Sequence, residues 1–132
     1  MKAAEADLIG SGADKVSSSV ENAIDRPLKR YAFILRLRPG AAEAYEQAHR
    51  TVWPEMLELL KRAGISEYSI YRRDELLILA LRTVDFEATW RQIENDPINT
   101  RWQQAMAPFF APNEGLRPGE RFPMMEEVFY LS

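Results

Sequence analysis

The order of patterned segments predicts an α+β fold, a ferredoxin-like antiparallel sheet with helices on one face. Three observations carry this expectation. Stretches that alternate with period two and stretches with helical spacing follow one another as strand, helix, strand, strand, helix, strand. Proline and glycine stand where these stretches meet, which is where chain direction has to change. Finally, Leu76 to Leu81 is apolar at every position, as expected of a strand covered on both faces.

Each element has its own signal. Tyr31, Phe33, Leu35 and Leu37 alternate with Ala32, Ile34, Arg36 and Arg38, a period of two that marks the first strand, and Pro39-Gly40 ends it. Ala41, Ala44, Tyr45 and Ala48 recur at helical spacing. Pro54 disfavours a helical residue before it, so the helix breaks near Trp53 and restarts with Pro54 in its first turn. Glu55 suits the positive end of that second segment, Met56, Leu59, Leu60 and Ala63 form its apolar stripe, and Gly64 closes it. Strands at Ile65 to Arg72 and Leu76 to Arg82 flank a polar turn, Arg73-Asp74-Glu75, and read as a hairpin. Asp85 caps a helix carrying Phe86, Trp90 and Ile93. Asp96-Pro97 caps the next, with Ile98, Trp102, Met106 and Phe109 or Phe110 on its buried side, ended by Pro108 and Pro112. A loop from Ala111 to Pro123 leads to a last strand at Met125 to Leu131.

Length and composition narrow the function. The chain of 132 residues fits one domain. Residues 1–29 are expected to be a flexible tail, with a transient helix near Val16 to Ile24, because Met1 to Leu28 has no aromatic residue and too few aliphatics to offset ordering entropy. Residues 30–132 are then the folded domain. A net charge of −3 with no basic run argues against nucleic-acid binding. The absence of Cys removes disulfides, thiolate metal sites and a thiol nucleophile, and is compatible with a reducing cytoplasm, the expected location. No stretch approaches the ~18 apolar residues of a membrane span, and the N-terminus lacks the basic-then-apolar order of a secretory signal.

Helices on one side leave the other side of the sheet open, yet Leu76 to Leu81 and Val128 to Leu131 are apolar throughout. A second copy supplying the same sheet is the economical cover, so a symmetric homodimer through sheet-to-sheet packing is expected. The C-terminal strand and the tail covering the sheet within one chain is the alternative.

Chemistry centres on the only histidine, His49. Its imidazole is the side chain whose unperturbed proton affinity lies near neutral pH. Tyr45, four residues earlier, falls on the same helix face. The pair is suited to grip a hydroxylated ligand and move a proton on it. Each residue alone also fits a structural role: His49 as a hydrogen-bonded packing residue, Tyr45 at a core edge, Tyr68 and Tyr71 as strand formers, and Trp53, Trp90 and Trp102 as core anchors. Arg101 fits a surface ion pair or a sugar contact equally.

Phe33-x-Leu35, Tyr45-x-x-x-His49, Trp53-Pro54-Glu55, Tyr68-x-Ile70-Tyr71, Arg101-Trp102 and the ending Glu127-Val128-Phe129-Tyr130-Leu131 resemble the L-rhamnose mutarotase family, from about Tyr31 to the C-terminus. The resemblance implies a dimeric α+β barrel that interconverts the α and β anomers of a 6-deoxy sugar with no metal or organic cofactor. It implies that His49 is the proton donor and that Tyr45, Tyr68 and Trp102 bind the sugar. Gln103 stands where the family commonly has a second tryptophan, which brings L-fucose in beside L-rhamnose, and the N-terminal tail has no counterpart in short family members. A cofactor-free monooxygenase of the same barrel class and a non-catalytic sugar-binding module are the competing readings. A dry, wholly aromatic pocket favours the monooxygenase, and converging hydrogen-bond groups favour a sugar.

Overall fold

The structure, a computed structural model, describes residues 26–132. The tail expected at residues 1–29 therefore lies almost entirely outside the described residues, as does the helix expected near Val16 to Ile24. Strand β1 starts at Lys29, one residue inside that stretch.

Strands β1 (Lys29–Arg36), β2 (Ser66–Arg73), β3 (Leu76–Thr83) and β4 (Met124–Met125) form one antiparallel sheet in the order β2-β3-β1-β4. Helices α1 (Ala42–Arg50) and α2 (Pro54–Arg62) connect β1 to β2; α3 (Phe86–Glu94) and α4 (Pro97–Met106) lie between β3 and β4. This is the expected ferredoxin-like α+β arrangement, with each expected helix split in two by a proline restart.

Alternation decides which residues make the core. On β3, Leu77, Leu79, Leu81 and Thr83 are buried toward the helices, while Leu76, Ile78, Ala80 and Arg82 on the back face are only half-buried. Phe33 and Leu37 of the β1 segment join that core, with Met56 and Leu59 of α2, Phe86 and Ile93 of α3, and Trp102 and Met106 of α4. Truncating a fully buried leucine such as Leu77 to alanine costs about 2–5 kcal/mol. Thr83 and Thr89 bond to each other at 2.7 Å, so the buried junction of β3 and α3 leaves no hydroxyl unpaired.

The caps follow the sequence. Asp85 accepts from the amide of Ala88 at 3.2 Å and Asp96 from that of Ile98 at 2.9 Å, each satisfying an orphan donor of a helix start. Gly64 takes φ +96° after α2, a conformation that a side chain would resist. Between β2 and β3, the turn is two residues, Asp74-Glu75, with Asp74 at φ +52°.

The last strand is a correction. Only Met124 and Met125 pair with β1; residues 126–132, expected in the strand to Leu131, carry no regular structure. Their apolar side chains stand in solvent, Val128 at 90%, Phe129 at 80% and Leu131 at 80% exposure. The stretch makes no ladder bonds to β1 beyond Ala32. It is held instead by Arg30, whose guanidinium bonds both carboxylate oxygens of Glu127 at 2.8 Å and lies 3.3 Å from the Tyr130 ring centroid.

Candidate active site

The site is built on the helix side of the sheet from α1, β2, α4 and the long return loop. On α1, the ring of Tyr45 packs against that of His49 with centroids 4.1 Å apart. His49 Nδ1 lies 2.9 Å from the backbone oxygen of Tyr45. A carbonyl only accepts, so Nδ1 carries a proton and donates it, and Nε2 is the nitrogen left for chemistry. The imidazole is thus held in one tautomer by its own helix.

On β2, the register with β3 shifts between Ser66 and Ser69, and Glu67 sits at φ +51°. The extra residue is a bulge, which bends the strand and re-aims its side chains. Tyr68 turns toward the helices into the cavity, whereas Glu67 faces the other side and accepts from Arg82 Nη1 at 3.0 Å.

A cavity of about 610 Å³ joins Tyr45, His49 and Tyr68, with walls from Phe33, Trp90, Asn99, Gln103 and Phe110. A neighbouring hollow of about 250 Å³ shares His49, Tyr68, Trp90, Asn99 and Gln103. Trp102 borders only the smaller hollow. It is buried behind the imidazole, edge-on at 5.5 Å, with Trp53 edge-on to it at 5.0 Å. The four expected site residues therefore gather in one place, three facing the large cavity and one behind it. Arg101 and Tyr71 are exposed and border neither hollow.

Residues 111–123 leave the free edge of β1 at Ala111, whose amide bonds Arg36 O at 2.9 Å, and return at Pro123, whose carbonyl accepts from Ile34 at 3.1 Å. Between these points Ala111, Pro112, Asn113, Arg121 and Phe122 form one wall of the cavity. Arg121 fastens the loop to α3 through a fork to Glu94 at 2.7 and 3.0 Å and a further bond to Glu87. Phe122 stacks on Phe33 with centroids 4.5 Å apart.

Burial pushes the Tyr45 phenol up to about 12 and raises that of Tyr68 as well, with the neighbouring Tyr45 adding to the effect on Tyr68. Both phenols are therefore neutral at ordinary pH, able to donate and to accept a hydrogen bond. Among the described residues no cluster of three His, Cys, Asp or Glu has the spacing to hold a metal ion.

An imidazole beside two neutral phenols in a half-open, mixed polar and aromatic cavity is suited to holding a small polyol while a proton moves on it. A family model described as L-rhamnose mutarotase matches residues 30–131. The chain belongs to the L-rhamnose mutarotase family. Within that family it is 34% identical over 105 residues to the L-rhamnose mutarotase of Bacillus subtilis (strain 168), covering 79% of this chain and 99% of that protein. The crystal structure of L-rhamnose mutarotase from Formosa agariphila superposes with a TM-score of 0.64 at 30% identity, over 79% of this chain and 99% of that one. Tetracenomycin F2 cyclase from Streptomyces glaucescens superposes with a TM-score of 0.52 at 18% identity, over 79% of this chain and 97% of that one, a likeness of fold alone.

Within this member of the L-rhamnose mutarotase family, several wall residues escape the sequence reading. Trp90, expected as a core anchor, is half-buried and borders both hollows. Asn99 lies on the same α4 stripe as Trp102, Gln103 and Met106, and a polar residue within an apolar stripe was the available signal. Glu94 and Arg121 are brought together across 27 positions, which no local pattern reveals.

Proposed function

We propose that this protein interconverts the α and β anomers of a 6-deoxyhexose, with L-rhamnose as the leading substrate. The observation that carries the reading is the His49 imidazole, fixed through Nδ1 and facing a cavity with converging hydrogen-bond groups, in a chain of this family. Those groups (Tyr45, Tyr68, Asn99 and Gln103) favour a sugar over the apolar substrate of a cofactor-free monooxygenase.

Mutarotation opens a cyclic hemiacetal. The anomeric hydroxyl loses its proton, the ring oxygen gains one, and the C1–O5 bond breaks to leave an aldehyde. Rotation about C1–C2 and reclosure on the other carbonyl face give the other anomer. In our reading protonated His49 donates from Nε2 to the ring oxygen and recovers that proton on reclosure. Tyr45 and Tyr68 are too weakly acidic when buried to be standing bases. They bind sugar hydroxyls, or relay the anomeric proton to solvent water by accepting one while giving up their own, the water returning it on reclosure. Trp102 holds the imidazole edge-on and meets the sugar through the smaller hollow. One placed acid–base group contributes about 10²–10⁴-fold, enough for a reaction that already proceeds unaided. Only protons move, so neither metal nor organic cofactor is required.

We further infer that the working unit is a homodimer packed sheet to sheet, acting in the cytoplasm. Support for the dimer comes from the back face, where Arg30, Ala32, Ser69, Tyr71, Ala80 and Met125 border an open groove of about 460 Å³, and from the exposed Val128, Phe129 and Leu131 beside it. The activity is tested by measuring anomer exchange of L-rhamnose and L-fucose by saturation-transfer NMR. Exchange well above the buffer rate, fastest for L-rhamnose, is expected. Buffer rates for both sugars would refute the reading.

A further inference from the structure

Asn99 is one of three buried polar residues among those described, with Thr83 and Thr89. The two threonines satisfy each other. Asn99 has no such closed arrangement. Its carboxamide offers two donor hydrogens and an oxygen with two lone pairs. The one side-chain bond it forms among the described residues is accepted by Oδ1 from Gln103 Nε2 at 3.4 Å, the long end of the hydrogen-bond range. Occluded, partnerless side-chain atoms among the described residues are confined to Ser66 Oγ and Arg82 Nε. The Asn99 Nδ2 donors are therefore reached through the cavity and not sealed in protein.

Its position is central. Asn99 borders both the 610 Å³ cavity and the 250 Å³ hollow, sharing both walls with His49, Tyr68, Trp90 and Gln103. At the first turn of α4, in line with Trp102 and Met106, an aliphatic side chain would pack with no polar group to satisfy. A carboxamide there suits an occupant that brings its own hydrogen-bonding groups.

We propose that Asn99 is a specificity-determining residue: its Nδ2 donates to one ring hydroxyl of the bound sugar, while Gln103, bonded to Oδ1, fixes which way the amide faces. This rests on the mutarotase reading. Hydroxyl recognition by a pre-oriented amide discriminates between sugars, because one lacking that hydroxyl loses the net worth of the bond.

The test measures anomer exchange of L-rhamnose and its 2-, 3- and 4-deoxy analogues, each against its own buffer rate, with wild type, Asn99→Leu and Gln103→Leu. Asn99→Leu is expected to raise KM for L-rhamnose roughly three- to tenfold, the loss of one net hydrogen bond, with kcat changed far less. One deoxy analogue should raise KM comparably in wild type and no further in Asn99→Leu. Gln103→Leu, at an exposed position that folding tolerates, should blunt the penalty for that same analogue, and it decides the matter if Asn99→Leu does not fold. Penalties that stay additive at every hydroxyl overturn the assignment of Asn99 while leaving the mutarotase reading intact. A wild type that accelerates none of these sugars overturns both.

Discussion

At His49 the backbone oxygen of Tyr45 fixes the tautomer, so the same helix that presents the imidazole also decides which nitrogen can act. Tyr45 itself makes burial measurable. Its folded phenol titrates at about 12 against an ordinary value of 10.0. The unfolded chain thus releases that proton first, so stability from the buried phenol is whole below about pH 10 and is lost as pH climbs through about 12. Tyr68 shifts in the same direction and adds to the loss. Between pH 9 and 12, wild type is expected to lose about 2 kcal/mol more than Tyr45→Phe, read from urea unfolding at successive pH values. An equal loss in both proteins would mean that the Tyr45 phenol is free to ionise in the fold.

Among the elements, the return loop is the one that a single ion-pair cluster ties down. Arg121 is the only cation bonded to Glu94 and Glu87 among the described residues, and its loop closes the cavity wall beside Phe122. Replacing Arg121 by Ala is expected to cost about 1 kcal/mol of stability, as a partly exposed network does. It should also raise KM about threefold and speed amide exchange over residues 111–123, the last read by hydrogen-exchange mass spectrometry. Unchanged exchange there would assign the loop's position to Phe122 stacking and the backbone bonds at Ala111 and Pro123. The helix starts were legible because Asp85 and Asp96 act locally, on amides two or three residues away. The Tyr68 bulge was not, since Glu67 carries none of the Gly, Asn or Asp signals that usually accompany a left-handed residue. Trp90 packs against the core as expected, but its cavity face, like that of Asn99, was not legible for a related reason. Spacing tells which face of a helix points inward, but not whether that face meets packed hydrocarbon or a cavity.

For the whole molecule, the sequence carried the order of elements and the neighbourhood of Tyr45, His49, Tyr68 and Trp102, because alternation, prolines and the family motifs all lie along the chain. It overran the last strand, because Val128 to Leu131 is as apolar as a paired strand yet makes no ladder bonds. With Val128, Phe129 and Leu131 exposed, a dimer is expected in sedimentation equilibrium at micromolar concentration, weakened on deletion of residues 128–132. A monomer at every concentration would contradict the sheet-to-sheet arrangement. The chemistry turns on the His49 imidazole. The most direct test is saturation transfer between the anomeric protons of L-rhamnose, comparing wild type with His49→Ala. Rapid exchange is expected with wild type, and a fall of about 10²-fold or more toward the buffer rate with the variant, while sugar binding survives. Exchange that His49→Ala leaves untouched would contradict it.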